Sequence, residues 1–348
     1  MKKLFLFILI CICCNSASAQ RTDQLDYEKL LQYYQTKQYN NAVTYLREIY
    51  KDSSDVKKLQ QLAYANLMAG HYADAEKAYL QLNAQAPGNI EVLSALAGLY
   101  IRINQSERAV GLYNDVITAD SSNFNAYKQL AKLSPDLQSS STKSLLIKAN
   151  RLNNSDAEVA AQLSDFYFRE NQFTKAEEVL KPALETDSNN LLLLNAKIPV
   201  CMALKKYNQA IKTGKKIIAT HKTPPENLLF QMAMSYRGVK DYKTATSYFQ
   251  FAIKEAVSPK IASYYGLLGD SYESMNQNKE ALETYKRGLL FENNGSLYYN
   301  IALLYEDKLN DKKNAISYYN QYLESIKDPE KQKRHIAYIK NKIEELKR

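Results

Sequence analysis

Tyr265-Gly266-Leu267-Leu268-Gly269-Asp270-Ser271-Tyr272, continued by Ala281 and Tyr285, is one copy of a pattern that returns about every 34 residues. Ala176, Ala210, Ala245, Ala281 and Ala315 are spaced 34, 35, 36 and 34 apart. Each of the last three is followed four residues on by an aromatic (Phe249, Tyr285, Tyr319) and preceded by a tyrosine nine or ten residues upstream (Tyr236, Tyr272, Tyr305). Towards the N-terminus, Leu62-Ala63 recurs 34 residues later as Leu96-Ala97, and Ala75 and Tyr79 recur as Ala109 and Tyr113. Ala42 begins the series, and Ala109 to Ala176 spans 67 residues, two periods with one weak unit between. A fixed period of this length marks stacked repeats.

The spacing within a unit is helical. Leu62, Ala63 and Asn66 fall at i, i+1 and i+4, the pattern breaks at Gly70, and a second helix from about Ala73 carries Ala75, Tyr79 and Leu82 on one face before Pro87-Gly88 ends it. Each unit therefore reads as two antiparallel helices joined by a short turn. The alanines let the helices approach and the tyrosines fill the neighbouring hollow. One pair cannot bury its apolar face alone, so units must stack. Scarce Gly (10) and Pro (8) suit this better than a sandwich or barrel.

The pattern Leu-Ala-x-x-Tyr, then Tyr/Asn-x-x-Ala-x-x-x-Tyr, resembles the tetratricopeptide repeat. The resemblance implies an all-α, right-handed α-solenoid of about nine helix-turn-helix units, at approximately 22–55, 56–89, 90–122, 123–156, 157–190, 191–225, 226–260, 261–294 and 295–328. The fourth is degraded: its first helix ends at Leu133-Ser134-Pro135 and a polar stretch, 138–142, precedes the second. It reads as a hinge or as a longer loop. Pro182 and Pro199 fall inside helices and should kink them. The ninth turn has an extra residue around Asn310 and Asp311. Ile336, Ile339, Ile343 and Leu346 make one narrow apolar stripe in an otherwise basic terminal helix, which suits the cap of a solenoid.

Met1-Lys2-Lys3, an apolar run from Leu4 to Cys14 and Ala17-Ser18-Ala19 make the three-part pattern of a cleaved secretory signal. The run is too short to span a bilayer, and no small residue precedes a cysteine as lipidation requires. The expected organisation is a signal peptide at 1–19, a first repeat block at 20–133, a polar linker or degraded repeat at 134–142, a second block at 143–328 and a capping helix at 329–348. The expected location is the periplasm or the exterior. Of the four cysteines only Cys201 survives cleavage, which leaves no intramolecular disulfide.

Chemistry is sparse. His71, His221 and His335 lie in three distant repeats without metal-ligand spacing, and Cys201 has no histidine close in sequence. No phosphate-cradling glycine loop, nucleophile elbow or calcium loop is present. The expectation is a non-enzyme without a cofactor or metal, and no nucleic-acid partner for an exported chain. Six lysines and no acid lie between Cys201 and Pro225 (Lys205, Lys206, Lys212, Lys215, Lys216, Lys222). These are a solvated helix face or an attachment point for acidic partners and membrane surfaces.

The resemblance also implies that first helices line a concave groove that binds a protein or peptide. Mapped copy by copy, the groove residues are Tyr64, Leu67, Met68, Ile101, Arg102, Phe168, Arg169, Met202, Phe230, Met234 and Arg237. Arg102, Arg169 and Arg237 recur at one place in alternate units, and together they could hold a carboxylate-bearing segment, with Phe168, Phe230 and Met234 as apolar anchors. The expected function is a protein-binding scaffold of the bacterial cell envelope. The alternative is an accessory subunit of an envelope assembly, secretion or polysaccharide-handling machine, docked through the convex lysines and the C-terminal helix.

Overall fold

The computed structural model describes residues 25–51, 54–134, 136, 138–220, 224–255 and 260–348. The signal-like segment 1–19, Pro135, His221 and Lys222 lie outside them. Among the described residues there are nineteen α-helices and no strand: α1 (Tyr27–Gln35), α2 (Tyr39–Tyr50), α3 (Val56–Ala69), α4 (Tyr72–Gln85), α5 (Ile90–Arg102), α6 (Ser106–Ala119), α7 (Phe124–Leu133), α8 (Ser140–Leu152), α9 (Ala157–Arg169), α10 (Phe173–Thr186), α11 (Leu191–Ala203), α12 (Tyr207–Ile218), α13 (Glu226–Gly238), α14 (Tyr242–Glu255), α15 (Ile261–Ser274), α16 (Asn278–Leu289), α17 (Gly295–Asp307), α18 (Lys312–Glu324) and α19 (Lys333–Lys347). Eighteen of them make nine consecutive pairs, and α19 follows alone. None is long and apolar enough to cross a membrane.

Two periodic devices set the helix ends. Seven of the nine first helices open on an Asx side chain that accepts backbone N–H bonds from the first turn (Asp26, Asp55, Asn89, Asn123, Asp156, Asn190 and Asn294), while α13 and α15 open on Pro225 and Lys260. First helices close on a residue in the left-handed region: Lys37, Gly70, Asn104, Asn171, Lys205, Lys240, Asn276 and Asn310. The next N–H then reaches back over the end of the helix, as from Gln38 to the Tyr33 carbonyl, Gln105 to Tyr100, Lys206 to Cys201 and Gln277 to Tyr272 (2.8, 2.8, 2.8 and 2.9 Å). In the ninth pair the bond runs from Asp311 to Tyr305, which accommodates one extra residue. Helices α10 and α11 run through Pro182 and Pro199.

The fourth pair is closed by side chains. Thr142 stands in the series Ala42, Ala75, Ala109, Ala176, Ala210, Ala245, Ala281 and Ala315, all of them buried, and is itself buried. Its hydroxyl donates to the Asp136 carbonyl (2.8 Å) and lies 2.6 Å from the Ser134 hydroxyl and 2.9 Å from that of Ser139. Ser139 caps α8 by accepting from the Thr142 N–H (3.2 Å). The polar run read as a linker is therefore partly helix, and it satisfies a hydroxyl placed where the other repeats carry a methyl.

The chain divides into two compact units, one ending at Asn153 and the other running from Asn154 to Arg348. Within each, helices pack on their neighbours in chain order. In the second unit α9 also packs on α11 and α11 on α13, so first helices form one layer there. The knob position four residues after the alanine is filled by Tyr79, Tyr113, Phe249, Tyr285 and Tyr319, all buried. The sixth repeat inverts these sizes. Gly214 holds the knob position, with Met232 of α13 against the place a Cβ would take. Ile198, in the same core, stands twelve residues before Ala210, where other repeats have Ala63, Ala97 and Gly269.

Helix α19 docks by Ile339 and Ile343, which are buried, with Ile336 and Leu346 half-buried. Lys342 pairs with Glu306 at 3.0 Å, each side chain only 18% exposed, and Glu306 also accepts the Tyr319 hydroxyl at 2.6 Å. Burial alone pulls the Lys342 ammonium down; the hydrogen bond and charge of Glu306, helped by Tyr338 and Asp307, outweigh it and hold Lys342 above the usual lysine range.

Candidate binding groove

The layer of first helices α9, α11 and α13 carries a pocket of about 560 Å³. Phe168, Met202, Met234 and Arg237, four of the residues singled out in the sequence, line it together with Pro199, Tyr207 and Tyr242. Tyr207 and Tyr242 open the second helices of repeats six and seven. Gly238 permits this packing, since a Cβ there would overlap the Tyr207 ring. The pocket wall is thus two thioethers, three aromatic rings and a proline, with one guanidinium at its edge. It accepts an apolar side chain of variable shape, because methionines repack easily.

Arg169 and Arg237 each meet a carboxylate of their own unit. Arg169 donates to Asp165 one turn earlier at 2.5 Å and lies over the Phe166 ring. Arg237 faces Asp270 at 3.5 Å. Asp270 in turn accepts the Tyr285 hydroxyl (2.8 Å) and the Asn300 amide (3.2 Å), and Tyr285 also reaches Glu273 at 2.7 Å. Burial and these two carboxylates push the Tyr285 phenol far up, so it stays a hydrogen-bond donor. Arg102 is exposed and lies in the first unit. Phe230 stacks on Tyr264 (4.7 Å between centroids), tying α13 to α15, and does not line the pocket.

In the first unit Leu67 is a buried member of the core and Ile101 packs against that core, so neither forms a free wall; Met68 is half-buried. Tyr64 is exposed and lines a separate pocket of about 470 Å³ with Tyr34, Tyr79, Gln60 and Gln61.

Sequence reasoning missed Tyr207, Tyr242 and Pro199 as pocket residues. A signal for two of them existed: Tyr39, Tyr72, Phe173, Tyr207 and Tyr242 each stand just after a turn, at the first position of a second helix.

Cys201 is free and buried, and burial pushes its thiol up, which suppresses the thiolate a nucleophile needs. Among the described residues no three His, Cys, Asp or Glu side chains are placed to hold a metal.

Residues 66–133 match one sequence profile of the tetratricopeptide repeat, and 262–294 and 295–329 match a second. Those three segments therefore carry tetratricopeptide repeats. No curated protein matches it by sequence. In three dimensions it is similar to a tetratricopeptide repeat protein from Parabacteroides merdae, 15% identical, over 72% of this chain and 98% of that one (TM-score 0.44). It is also similar to PilF of Pseudomonas aeruginosa, 17% identical, over 62% and 94% (TM-score 0.48).

Proposed function

We propose that this chain is a non-enzymatic scaffold of the bacterial cell envelope, exported by residues 1–19, that holds a protein or peptide in the groove formed by the first helices of repeats five to seven. Tetratricopeptide repeats are in general protein-interaction modules. The observation that supports a site here is the pocket where Phe168, Met202, Met234 and Arg237 meet Tyr207 and Tyr242. Binding works by burial of an apolar anchor among soft side chains, with Arg237 at the rim exchanging part of its contact to Asp270 for a partner's acceptor. No chemical step is involved.

Photo-crosslinking tests this directly. A benzophenone side chain in place of Met202 should capture one discrete partner in the native cells, while the same group at Lys181, on α10 away from the pocket, should not. Identical adducts from both positions would remove the groove from the proposal. Periplasmic recovery of the protein, lost on deleting 1–19, checks the location.

A further inference from the structure

The second unit holds another concavity, of about 410 Å³, on the face made by α11 and α12 with the end of α10. Its polar lining is unusual in sign. Lys197 from α11 and Lys212 and Lys216 from α12 converge on it, and no carboxylate lines it. Lys197 is half-buried. Among the described residues neither Lys197 nor Lys212 has an ion-pair partner, and Lys216 reaches only the Ser188 carbonyl, at 3.3 Å. Lys206, by contrast, is taken up by both oxygens of Glu177 (2.7 and 2.6 Å), so the lysine-rich stretch is not uniformly free.

The remaining polar group supplies the same chemistry. Gln209 lines the pocket, and its carbonyl oxygen takes the weak Cys201 Sγ contact at 4.0 Å, which leaves its amide N–H₂ to donate. Thr213 has its hydroxyl turned back to the Gln209 backbone carbonyl at 2.8 Å. Leu184 and Leu194 form an apolar floor that lowers the local dielectric. Asp187, close by in sequence, is occupied within its own turn by the Asn189 N–H and the Asn190 amide (3.1 and 3.2 Å). On the other side, Lys197 also borders a neighbouring pocket rimmed by Glu177, Glu178 and Glu185; of these Glu177 is held by Lys206, and Glu185 lies 4.0 Å from Lys181.

We propose that this pocket binds a phosphate group. Three lysines border one concavity, Lys197 half-buried and Lys212 and Lys216 exposed; their ammonium groups repel one another and, apart from the Ser188 carbonyl on Lys216, are short of acceptors. A tetrahedral anion made only of acceptor oxygens relieves both. The pocket is concave, so it takes a discrete phosphate, either on a small soluble phosphoester or as a lipid headgroup. The site does not depend on the groove of repeats five to seven and can be tested apart from it.

Calorimetric titration of the purified full chain with inorganic phosphate at low salt should show saturable binding. Lys197→Gln and Lys212→Gln should each weaken it about tenfold. Lys254→Gln, on α14 and outside the pocket, should leave it unchanged, and matching far-UV spectra and melting curves confirm that the variants fold. Cosedimentation with phosphatidylglycerol or phosphatidylcholine vesicles separates the sources. Phosphate binding without vesicle binding assigns a soluble phosphoester; vesicle binding displaced by phosphate and lost in Lys197→Gln assigns a headgroup. Absence of saturable phosphate binding, or equal binding by the two pocket variants and the wild type, overturns the proposal.

Discussion

Gly269 on α15 faces the ring of Tyr285 on α16 so closely that a Cβ would overlap it. The glycine is the hollow and the tyrosine the knob of repeat eight, and the tyrosine cannot retreat because Asp270 and Glu273 hold its hydroxyl. Gly269→Ala should therefore destabilise the protein. Overpacking of about 1–3 kcal/mol outweighs the gain of up to about 1 kcal/mol in helix propensity. Gly98 on α5, with open space around its Cβ, should respond oppositely and gain up to about 1 kcal/mol as alanine. Urea unfolding of both variants checks the pair.

Thr142 is the only hydroxyl in its series of buried alanines, and its partners in 134–139 exist in the fold to receive it. Thr142→Val keeps the shape and removes the hydrogen bonds, so it should cost about 1 kcal/mol, because the Asp136 carbonyl keeps the Ser134 and Ser139 hydroxyls but loses its third donor. Hydrogen exchange should show faster opening confined to α7 and α8.

Lys205 and Lys240 occupy left-handed backbone at φ 57° and 63°. An L side chain other than glycine, asparagine or aspartate sits there at a cost of about 1–2 kcal/mol. Lys205→Gly and Lys240→Gly should each raise stability by a fraction of that, offset by the extra freedom of glycine in the unfolded chain. Thermal melts that fall instead would contradict the turn geometry.

Burial raises the phenols of Tyr34, Tyr79, Tyr100 and Tyr264 to about 12. For Tyr100 and Tyr264 the second cause is donation to Glu76 (2.8 Å) and Glu226 (2.5 Å). A phenol whose folded value lies above its unfolded value of about 10 contributes fully below pH 10, and that contribution is lost as pH rises through the folded value. Lys342 acts with the same sign. Absorbance at 295 nm should therefore show exposed tyrosines ionising near pH 10 and a second group ionising together with loss of helix near pH 12.

Glu306 joins α19 to the ninth repeat through Lys342 while holding Tyr319. Glu306→Gln keeps the shape but removes the charge, leaving a nearly buried ammonium uncompensated, at a local cost of about 1–3 kcal/mol. Trypsin should cut within 333–347 about tenfold faster, with the rest of the chain unaffected. Uniform cleavage along the chain would show that α19 is not a separate layer.

The repeat was legible because its alanines and aromatics obey both a 34-residue period and helical spacing, and burial depends on that pattern alone. Ala75, Tyr79, Ala281 and Tyr285 fell where the spacing placed them. Part of the helix-end chemistry was equally periodic: Asp55, Asn89, Asn123, Asp156 and Asn190 stand one residue before the first helices of repeats two to six. The site was legible in part. Phe168, Met202, Met234 and Arg237 meet in space, but Leu67 and Phe230 turn into packing, because side chains on one helix face differ by only a few tens of degrees between groove and core. The partner of Arg169 stands one helical turn away at Asp165 and was open to a sequence scan, but the Arg237–Asp270 contact joins residues 33 apart, which such a scan does not pair.

Gly214 and Met232 have a consequence for how such an array changes length. In repeat eight the small residue and the large one, Gly269 and Tyr285, belong to the same unit, so their fit travels with the unit when it is duplicated or lost. Between α12 and α13 the fit crosses the boundary of two units, Gly214 of repeat six receiving Met232 of repeat seven. A recombination event that separated the two would leave either a hole or a collision. Repeats six and seven are bound as a single heritable block, and growth or shrinkage of the array is directed to the junctions on either side.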